Sequence, residues 1–354
     1  MRALVILPDL FDYRVETYNI INKRYQLDVA YNLKDKTKAK CDFEKVKFNC
    51  KKIGPIYFIK NFRKIVSNYD VVIIMADFHY PQYCLLPFFK RKIKVISWGI
   101  GFRVSYTHPF EPDRKHGLLD KISQLVLSKC DANIFYMEQA KQFWKNTELK
   151  MDNVFVAPNT TSVAPISIDS EKKKNFLFVG TLYKGKGLDL LIDTFAKLKV
   201  HQDDACKLVI VGDGAERESL VQQTSELGIN NQVVFKGAIY DEEELSREFQ
   251  KALICISPTQ GGLSVPKSMG YGVPFIVRKD AISGGEVYHI NNGVNGIMYE
   301  KDEDLFDIMR DALTNPQKYI EMGALAKQYY DNHATPYHMA KGAIDAIDYV
   351  LTTK

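Results

Sequence analysis

The sequence has no long uninterrupted apolar run, and this limits how the protein can meet a membrane. The N-terminal stretch from Ala3 to Leu7 has only a few apolar residues before Pro8 and Asp9, which is too short for a signal peptide or a spanning helix. No later stretch approaches the roughly 20 apolar residues that a transmembrane helix needs. We therefore expect a cytoplasmic protein whose contact with a membrane is peripheral.

Other signals are also missing. The six cysteines form no CxxC pair and no zinc-like spacing, so free thiols in a reducing compartment are expected. There is no low-complexity tract, no short repeat and no familiar nucleic-acid-binding motif. With 46% hydrophobic and 26% charged residues, the composition is typical of a soluble globular protein, and no nucleic-acid partner is expected.

Positive charge is concentrated in the first third of the chain, although the net charge is only +5. Such runs are usually solvated surface. They also fit an anionic partner, either a membrane face or an acceptor that carries a pyrophosphate. The basic residues are Lys34, Lys36, Lys38, Lys40, Lys45, Lys47, Lys51, Lys52, Lys60, Arg63, Lys64, Lys90, Arg91, Lys92 and Lys94.

A chain of 354 residues predicts two domains, at ~150 residues per domain. Short, continuously apolar runs favour strands buried on both faces, hence parallel sheets covered by helices. In the first half these runs are 3–7, 27–31, 71–76, 95–98, 132–136 and 154–156, with candidate helices at 57–67, 115–129 and 137–145.

Small polar residues and two prolines between Ala157 and Pro165 indicate a linker. We expect an N-terminal domain over 1–157, a linker over 158–174, a second domain over 175–336, and a final helix, 337–354, that packs back on the first domain. In the second half predicted strands at 176–179, 208–211, 233–235, 252–256 and 275–277 alternate with predicted helices at 188–198, 215–227, 242–250, 263–271, 302–313 and 316–332. The predicted fold class is α/β, with two doubly wound, Rossmann-like domains facing a cleft.

The stretch from Gly261 to Pro274 is the strongest single signal. An apolar strand, the pair Gly261-Gly262 and a helix beginning at Leu263 and Ser264 follow one another. Glycines let the backbone approach a phosphate, and the free N–H groups of a helix start favour negative charge. A tight strand-to-helix turn that merely uses glycine is the alternative.

Three further loops after predicted strands also contain glycine. Gly180 leads to Lys184 and Lys186, whose ammonium groups suit phosphate. Gly212 and Gly214 lie in the second loop, and Ile239 with Tyr240 in the third. Together the four loops predict a site for a nucleoside diphosphate.

At this point the sequence resembles the nucleotide-sugar domain of family 4 glycosyltransferases. The resemblance is carried by Phe178–Gly187, Val209–Gly214, Val234–Gly237, Ser257–Pro274, Gly293–Tyr299 and the pair Pro158-Asn159. It implies the GT-B fold, with the donor bound mainly by the second domain and the acceptor by the first. It also implies transfer with retained anomeric configuration and without a metal or other cofactor.

The resemblance assigns Lys186 to the donor pyrophosphate, and Thr181 stands where an arginine is usual. Thr259 and Lys267 replace two glutamates of the family. Lys267 cannot accept bonds from ribose hydroxyls, so either it meets a phosphate or it is a solvated helix lysine. Glu286 is then either a hydroxyl-accepting carboxylate or a charge on the helix that it opens.

Acceptor-side candidates lie in the first half. His79 follows one predicted strand, and Gly99, Arg103 and His108 follow the next. Ile100 occupies a position where many relatives carry histidine, and the usual glycines are absent from Pro8–Tyr13.

The leading hypothesis is a hexosyltransferase that uses a UDP- or GDP-sugar and a saccharide acceptor linked to polyprenyl diphosphate, in the synthesis of a bacterial surface polysaccharide. A non-catalytic nucleotide-sugar-binding subunit and a GT-B-fold epimerase are the alternatives.

Overall fold

A computed structural model describes residues 1–89, 92–102, 115–165, 173–198 and 206–353. These residues form two compact units. The first unit contains the described residues up to Asn159 together with the chain from Thr335 onward, and the second runs from Thr160 to Ala334. The first unit is therefore built from both ends of the chain, whereas the second is continuous apart from undescribed stretches.

The first unit has a seven-stranded parallel sheet in the order β11-β10-β9-β8-β1-β3-β5, a short parallel pair β2-β4 and an antiparallel hairpin β6-β7. Its strands are β1 (Arg2–Leu7), β2 (Leu10–Phe11), β3 (Gln26–Tyr31), β4 (Asp35–Lys36), β5 (Glu44–Lys47), β6 (Cys50–Ile53), β7 (Ile56–Ile59), β8 (Val71–Ile74), β9 (Lys94–Gly99), β10 (Ala132–Phe135) and β11 (Val154–Val156).

Helices cover both faces of this sheet. They are α1 (Val15–Asn22), α2 (Phe62–Val66), α3 (Pro81–Leu85), α4 (Leu118–Ser128), α5 (Gln139–Trp144) and, from the end of the chain, α12 (Pro336–Thr352). One apolar layer joins α1 and α12 to the sheet, and the opposite layer includes α2 and α3.

The second unit has a six-stranded parallel sheet in the order β14-β13-β12-β15-β16-β17. Its strands are β12 (Asn175–Val179), β13 (Leu208–Val211), β14 (Val233–Gly237), β15 (Ala252–Ile256), β16 (Phe275–Arg278) and β17 (Gly296–Tyr299). Its helices are α6 (Leu188–Lys197), α7 (Arg217–Glu226), α8 (Glu242–Lys251), α9 (Ser264–Gly270), α10 (Asp304–Thr314) and α11 (Pro316–His333).

The predicted α/β class is confirmed, because both units have parallel sheets flanked by helices. Strands β8, β13 and β15 are buried along their whole length, as continuous apolar runs predict. None of the described helices is both long and apolar enough to span a bilayer.

One predicted helix, 57–67, was wrong over its first half. Ile56–Ile59 forms strand β7 of a hairpin, and a helix spans only Phe62–Val66. Asn61, in a left-handed conformation with φ of 56°, separates the two. The isoleucine and aromatic side chains of Ile56–Ile59 favour a strand, and this preference outweighs the helical spacing of the sequence.

In each sheet, successive strands are first added on one side of the first strand and then on its other side. In the first unit this turning point lies between β1 and β8, and in the second between β12 and β15. Ligands of open parallel sheets bind beyond the carboxyl ends of the strands at such points. A ligand site is therefore expected in the loops that follow these four strands.

Candidate functional site

In the second unit, the loops after β12 and β15 contact each other directly. The Thr259 hydroxyl donates to the Gly185 carbonyl oxygen at 2.7 Å, and the Tyr183 hydroxyl bonds the side chain of Gln260. Gly187 has φ of 66°, and a Cβ there would lie 2.9 Å from the Thr259 side chain. Thr259, one of the two departures from the family pattern, thus joins the two loops.

Lys186 lies in a 3-10 turn, Lys184–Lys186, within the loop after β12. Burial lowers the pKa of its ammonium group to about 8, and the carboxylate of Glu286 partly opposes the change. Among the described residues, Nζ has no hydrogen-bond or ion-pair partner; the Tyr183 ring centroid is 5.7 Å away. A desolvated cation without a direct partner favours an anionic ligand.

Glu286 is almost fully buried, with 4% of its surface exposed, and opens a 3-10 helix, Glu286–His289. Its Oε2 accepts from the Gly284 N–H at 2.8 Å and from the Ser283 hydroxyl at 3.0 Å. Oε2 of Glu286 therefore holds its own loop, while the negative charge of the carboxylate raises the pKa of Lys186. Both interpretations made from the sequence are compatible with this geometry.

The glycine pair does not act as a unit. The Gly261 N–H donates to the Ile282 carbonyl oxygen at 3.0 Å, and a Cβ at Gly261 would lie 2.4 Å from the Val287 side chain. Packing therefore requires this glycine, and its N–H already has an acceptor within the protein, so a contact of Gly261 with a phosphate stays a prediction that its N–H does not support.

Gly262 differs from its neighbour. A Cβ there would meet nothing within 4 Å. In the described part of the chain, the N–H groups of Gly262 and Leu263 have no backbone acceptor. Helix α9 begins at Ser264 and has only seven residues. The open backbone around Gly262 and Leu263, rather than a long helix, is what a ligand would meet.

Gly212 and Gly214 have a structural explanation. A Cβ at Gly212, where φ is 149°, would lie 1.8 Å from the Gly180 carbonyl oxygen, and one at Gly214 would lie 2.2 Å from the Leu182 carbonyl oxygen. These glycines let the loop after β13 pack on the loop after β12. They position Gly180 and its neighbours, whether or not they contact a ligand.

Lys267 is engaged within the protein. Its Nζ lies 2.7 and 2.8 Å from the two carboxylate oxygens of Glu242 and 2.9 Å from the Ser162 carbonyl oxygen. The Tyr271 hydroxyl bonds the same carboxylate. With 14% of its side chain exposed, Lys267 is not the solvated helix lysine of one interpretation. No spacing in the sequence indicates Glu242 as its partner.

The remaining donor-site candidates differ in exposure. Thr181, Lys184 and Tyr240 are exposed, whereas Ile239 is partly buried. None of them has an assigned ligand contact, so their roles stay predictions.

In the first unit, His79 is exposed and its Nδ1 lies 2.7 Å from the Asp77 carboxylate. His79 and Gly99 line one cavity of about 460 Å³ at the carboxyl ends of β8 and β9. Arg103 and His108 lie outside the described residues. The structure thus brings together two of the four acceptor-side candidates.

Comparison with known proteins agrees with this architecture. Residues 161–329 match the family Glycosyl transferases group 1. An uncharacterized glycosyltransferase of Haemophilus influenzae is 25% identical over 270 residues, which cover 74% of this chain and 72% of that protein. The poly(ribitol-phosphate) alpha-N-acetylglucosaminyltransferase of Staphylococcus aureus is 23% identical over 219 residues, which cover 60% of this chain and 43% of that protein.

Among solved structures, Anabaena HepE in complex with UDP is similar with a TM-score of 0.70, at 15% identity, covering 98% of this chain and 100% of that one. At this identity the likeness shows the fold. The sequence match covers the second unit, where Lys186, Glu286 and the glycine-bearing loops converge. Residues 161–329 therefore form a glycosyl transferases group 1 domain, and the chain is a glycosyltransferase with the GT-B fold.

Proposed function

We propose that the enzyme transfers a hexose from a nucleoside diphosphate sugar to a hydroxyl group of a saccharide, with retained anomeric configuration and without a metal. The observation that carries this proposal is the desolvated ammonium of Lys186, which has no direct partner in the described part of the chain, at the turning point of the second sheet. A cation there suits the diphosphate of the donor.

In the proposed reaction the bond between the anomeric carbon and the diphosphate oxygen breaks, and negative charge develops on the leaving group. Lys186 and the N–H groups of Gly262 and Leu263 would stabilise that charge, which is most effective where water is excluded. The acceptor oxygen bonds to the anomeric carbon from the same face, and its proton passes to an oxygen of the leaving phosphate.

A uridine nucleotide is the first donor to test. HepE was solved with UDP and with UDP-glucose, and the Staphylococcus aureus relative is an N-acetylglucosaminyltransferase. GDP-sugars remain the second choice. Transfer is favoured over the binding-only and epimerase alternatives because the domain and these relatives are glycosyltransferases.

We propose a saccharide linked to polyprenyl diphosphate, an intermediate of bacterial surface polysaccharide, as the acceptor, met at the cytoplasmic membrane face. Support comes from the first unit, where helix α4 exposes apolar side chains beside Lys121, and the Arg63 guanidinium lies 3.9 Å from the ring centroid of the exposed Phe89. Cosedimentation with anionic vesicles, lost on Leu125→Glu, tests this contact. Binding that is equal for wild type and variant would exclude α4.

The donor test is a thermal-shift panel of UDP, GDP, UDP-glucose, UDP-N-acetylglucosamine and GDP-mannose. A ligand that binds the folded state raises its apparent stability. We expect a shift with one nucleotide class, strongly reduced in Lys186→Gln. Lys197→Gln, at the exposed far end of α6, is the matched control and should keep the full shift.

Product analysis completes this test. Transfer to an added saccharide acceptor, with the anomeric configuration read by NMR, should occur in wild type and fall about a hundredfold in Lys186→Gln. Nucleotide binding that survives unchanged in Lys186→Gln would remove Lys186 from the donor site and with it the basis of the proposal.

A further inference from the structure

The first unit contains a second cavity, of about 220 Å³, between β1 and β8, where the strand order of its sheet reverses. Leu7 at the end of β1, Pro8 and Asp9 after it, and Met75 after β8 form part of its wall. This is the position at which ligands of open parallel sheets bind. The volume is below the ~300–1,000 Å³ of sites for drug-sized ligands, so it suits a group the size of a monosaccharide.

A buried guanidinium group lines this cavity. Arg14 is only 8% exposed, and its hydrogen bonds go to two neutral atoms, the Met339 sulfur at 2.7 Å and the Asn159 side-chain oxygen. Within the described residues no carboxylate lies within ion-pair distance of it. Since a guanidinium has five N–H donors, several remain available.

Local structure does not explain this charge. Arg14 occupies the N-cap position of α1 without a side-chain capping bond, at the end of the helix where the dipole disfavours a cation. The acidic side chains of the same segment bond other groups. Asp9, which lines the cavity, accepts from the Lys34 N–H at 2.8 Å and pairs with Lys36 at 3.4 Å, and Asp12 accepts from the Lys38 N–H at 2.7 Å. The rings of Tyr13 and Tyr136, 5.0 and 5.6 Å away, compensate only in part.

The same cavity is lined by a second donor without an acceptor. Trp98 is 6% exposed, and its indole N–H has no hydrogen-bond partner among the described residues. The other tryptophan of the chain, Trp144, donates to the Gly101 carbonyl oxygen at 2.6 Å. Buried donors are almost always satisfied, so an indole N–H without an acceptor and a guanidinium without a carboxylate, from two residues that line one cavity, point to an anionic ligand.

We infer that this cavity binds the oxyanion of a negatively charged monosaccharide unit, a carboxylate or a phosphate, through Arg14 and the Trp98 indole N–H. Phe11, Tyr13 and Tyr136, which also line it, present aromatic surfaces to the sugar ring. That this unit belongs to the acceptor rests on the proposed function; the oxyanion site itself does not.

The test measures ligand-induced thermal shifts of the full-length enzyme, without donor, using glucuronate, glucose 6-phosphate and uncharged glucose. At least one charged sugar should stabilise the protein clearly more than glucose, and the comparison of the two separates carboxylate from phosphate. The shift should persist in Lys186→Gln, so a failed donor site and a failed oxyanion site give different results. Equal shifts for all three sugars would overturn the inference.

Two variants locate the site. Arg14→Met should weaken binding of the charged sugar by about tenfold or more, because a charge-assisted hydrogen bond is lost. It should also raise the melting temperature of the free protein, since an unpaired buried charge is removed. A purely structural Arg14 would give a lower melting temperature and an unchanged sugar shift, which would contradict the proposal.

Trp98→Phe keeps an aromatic ring but deletes the N–H. It should reduce the charged-sugar shift. It should lower the stability of the free protein only by the packing that the smaller ring loses in the core, because the deleted donor has no partner to lose. Trp144→Phe is the matched control: it should lower the melting temperature, since the bond to Gly101 is lost, and keep the sugar shift. A sugar shift that survives in both Arg14→Met and Trp98→Phe would overturn the assignment of the cavity.

Discussion

The two units build their candidate binding places from different parts of the chain. In the second unit, loops that are rich in glycine bring main-chain groups together around one lysine, Lys186. In the first unit, the segment from Pro8 to Tyr13 has no glycine, and aromatic side chains with Arg14 line the cavity. A site built from main-chain groups can be recognised in the sequence by its spaced glycines, whereas a site built from side chains shows no comparable sequence pattern.

Among the changes that test this difference, we expect the largest in the free energy of unfolding when glycines of the second unit are replaced. Gly212→Ala places a Cβ on the Gly180 carbonyl oxygen and should lower the free energy of unfolding by roughly 3 kcal/mol. Gly262→Ala, which meets open space, should change it by no more than about 0.5 kcal/mol. Urea denaturation of both variants measures this, and equal losses would show that the loops do not pack as described.

The next effect is the pH dependence of donor binding. Because burial lowers the pKa of Lys186 to about 8 and a diphosphate holds the ammonium protonated, binding takes up a proton above pH 8. Affinity should fall as pH rises, approaching about tenfold per unit. Calorimetric titration between pH 7 and 9.5 tests this, with Lys186→Gln expected to be independent of pH over that range.

The stability of the free enzyme should change in the opposite direction. The folded protein loses the Lys186 proton near pH 8, whereas the unfolded chain keeps it to about 10.5. The unfolded state thus binds more protons in that window, and the free energy of unfolding rises with pH. Burial also lowers the pKa of Lys173 to about 8, so the Lys186 contribution is the difference between wild type and Lys186→Gln.

A smaller effect separates the structural from the ligand-binding role of Lys267. Lys267→Met breaks an ion pair in which Lys267 is mostly buried and Glu242 is partly exposed, and it should cost about 1 kcal/mol of stability. Lys279→Met, which breaks an exposed pair with Glu300, is the control and should cost close to nothing. Thermal unfolding measures both. Weaker donor binding in Lys267→Met alone would place Lys267 in the donor site after all.

The smallest effect is expected from Glu286→Gln. Glutamine can still accept from Gly284 and Ser283, so the melting temperature should hardly change. Loss of the negative charge should lower the pKa of Lys186 further, and the decline of donor affinity should begin at a lower pH. The same calorimetric series checks this, and an unmoved pH profile would mean that Glu286 does not act on Lys186.

The second unit could be predicted from its sequence almost element by element, because its strands are short apolar runs bounded by glycine. The first unit could not: helix α1 begins at Val15 without a side-chain cap, and β7 has residues that suit helix or strand. Lys186 was predicted from its loop and the family resemblance, and its role at the donor stays a prediction. The partners of Lys267, the used N–H of Gly261 and the unpaired donors of Arg14 and Trp98 depend on contacts between distant segments, which spacing does not reveal.

The last helix, α12, has a consequence for how the enzyme is made. Met339, Ala343 and Ile347 belong to the apolar core of the first unit, although they leave the ribosome after the whole second unit. During synthesis the second unit can complete its core while α1 still lacks its partner α12, which is translated after that unit. A chaperone that holds nascent chains would therefore be most needed by the segments of the first unit that precede the second.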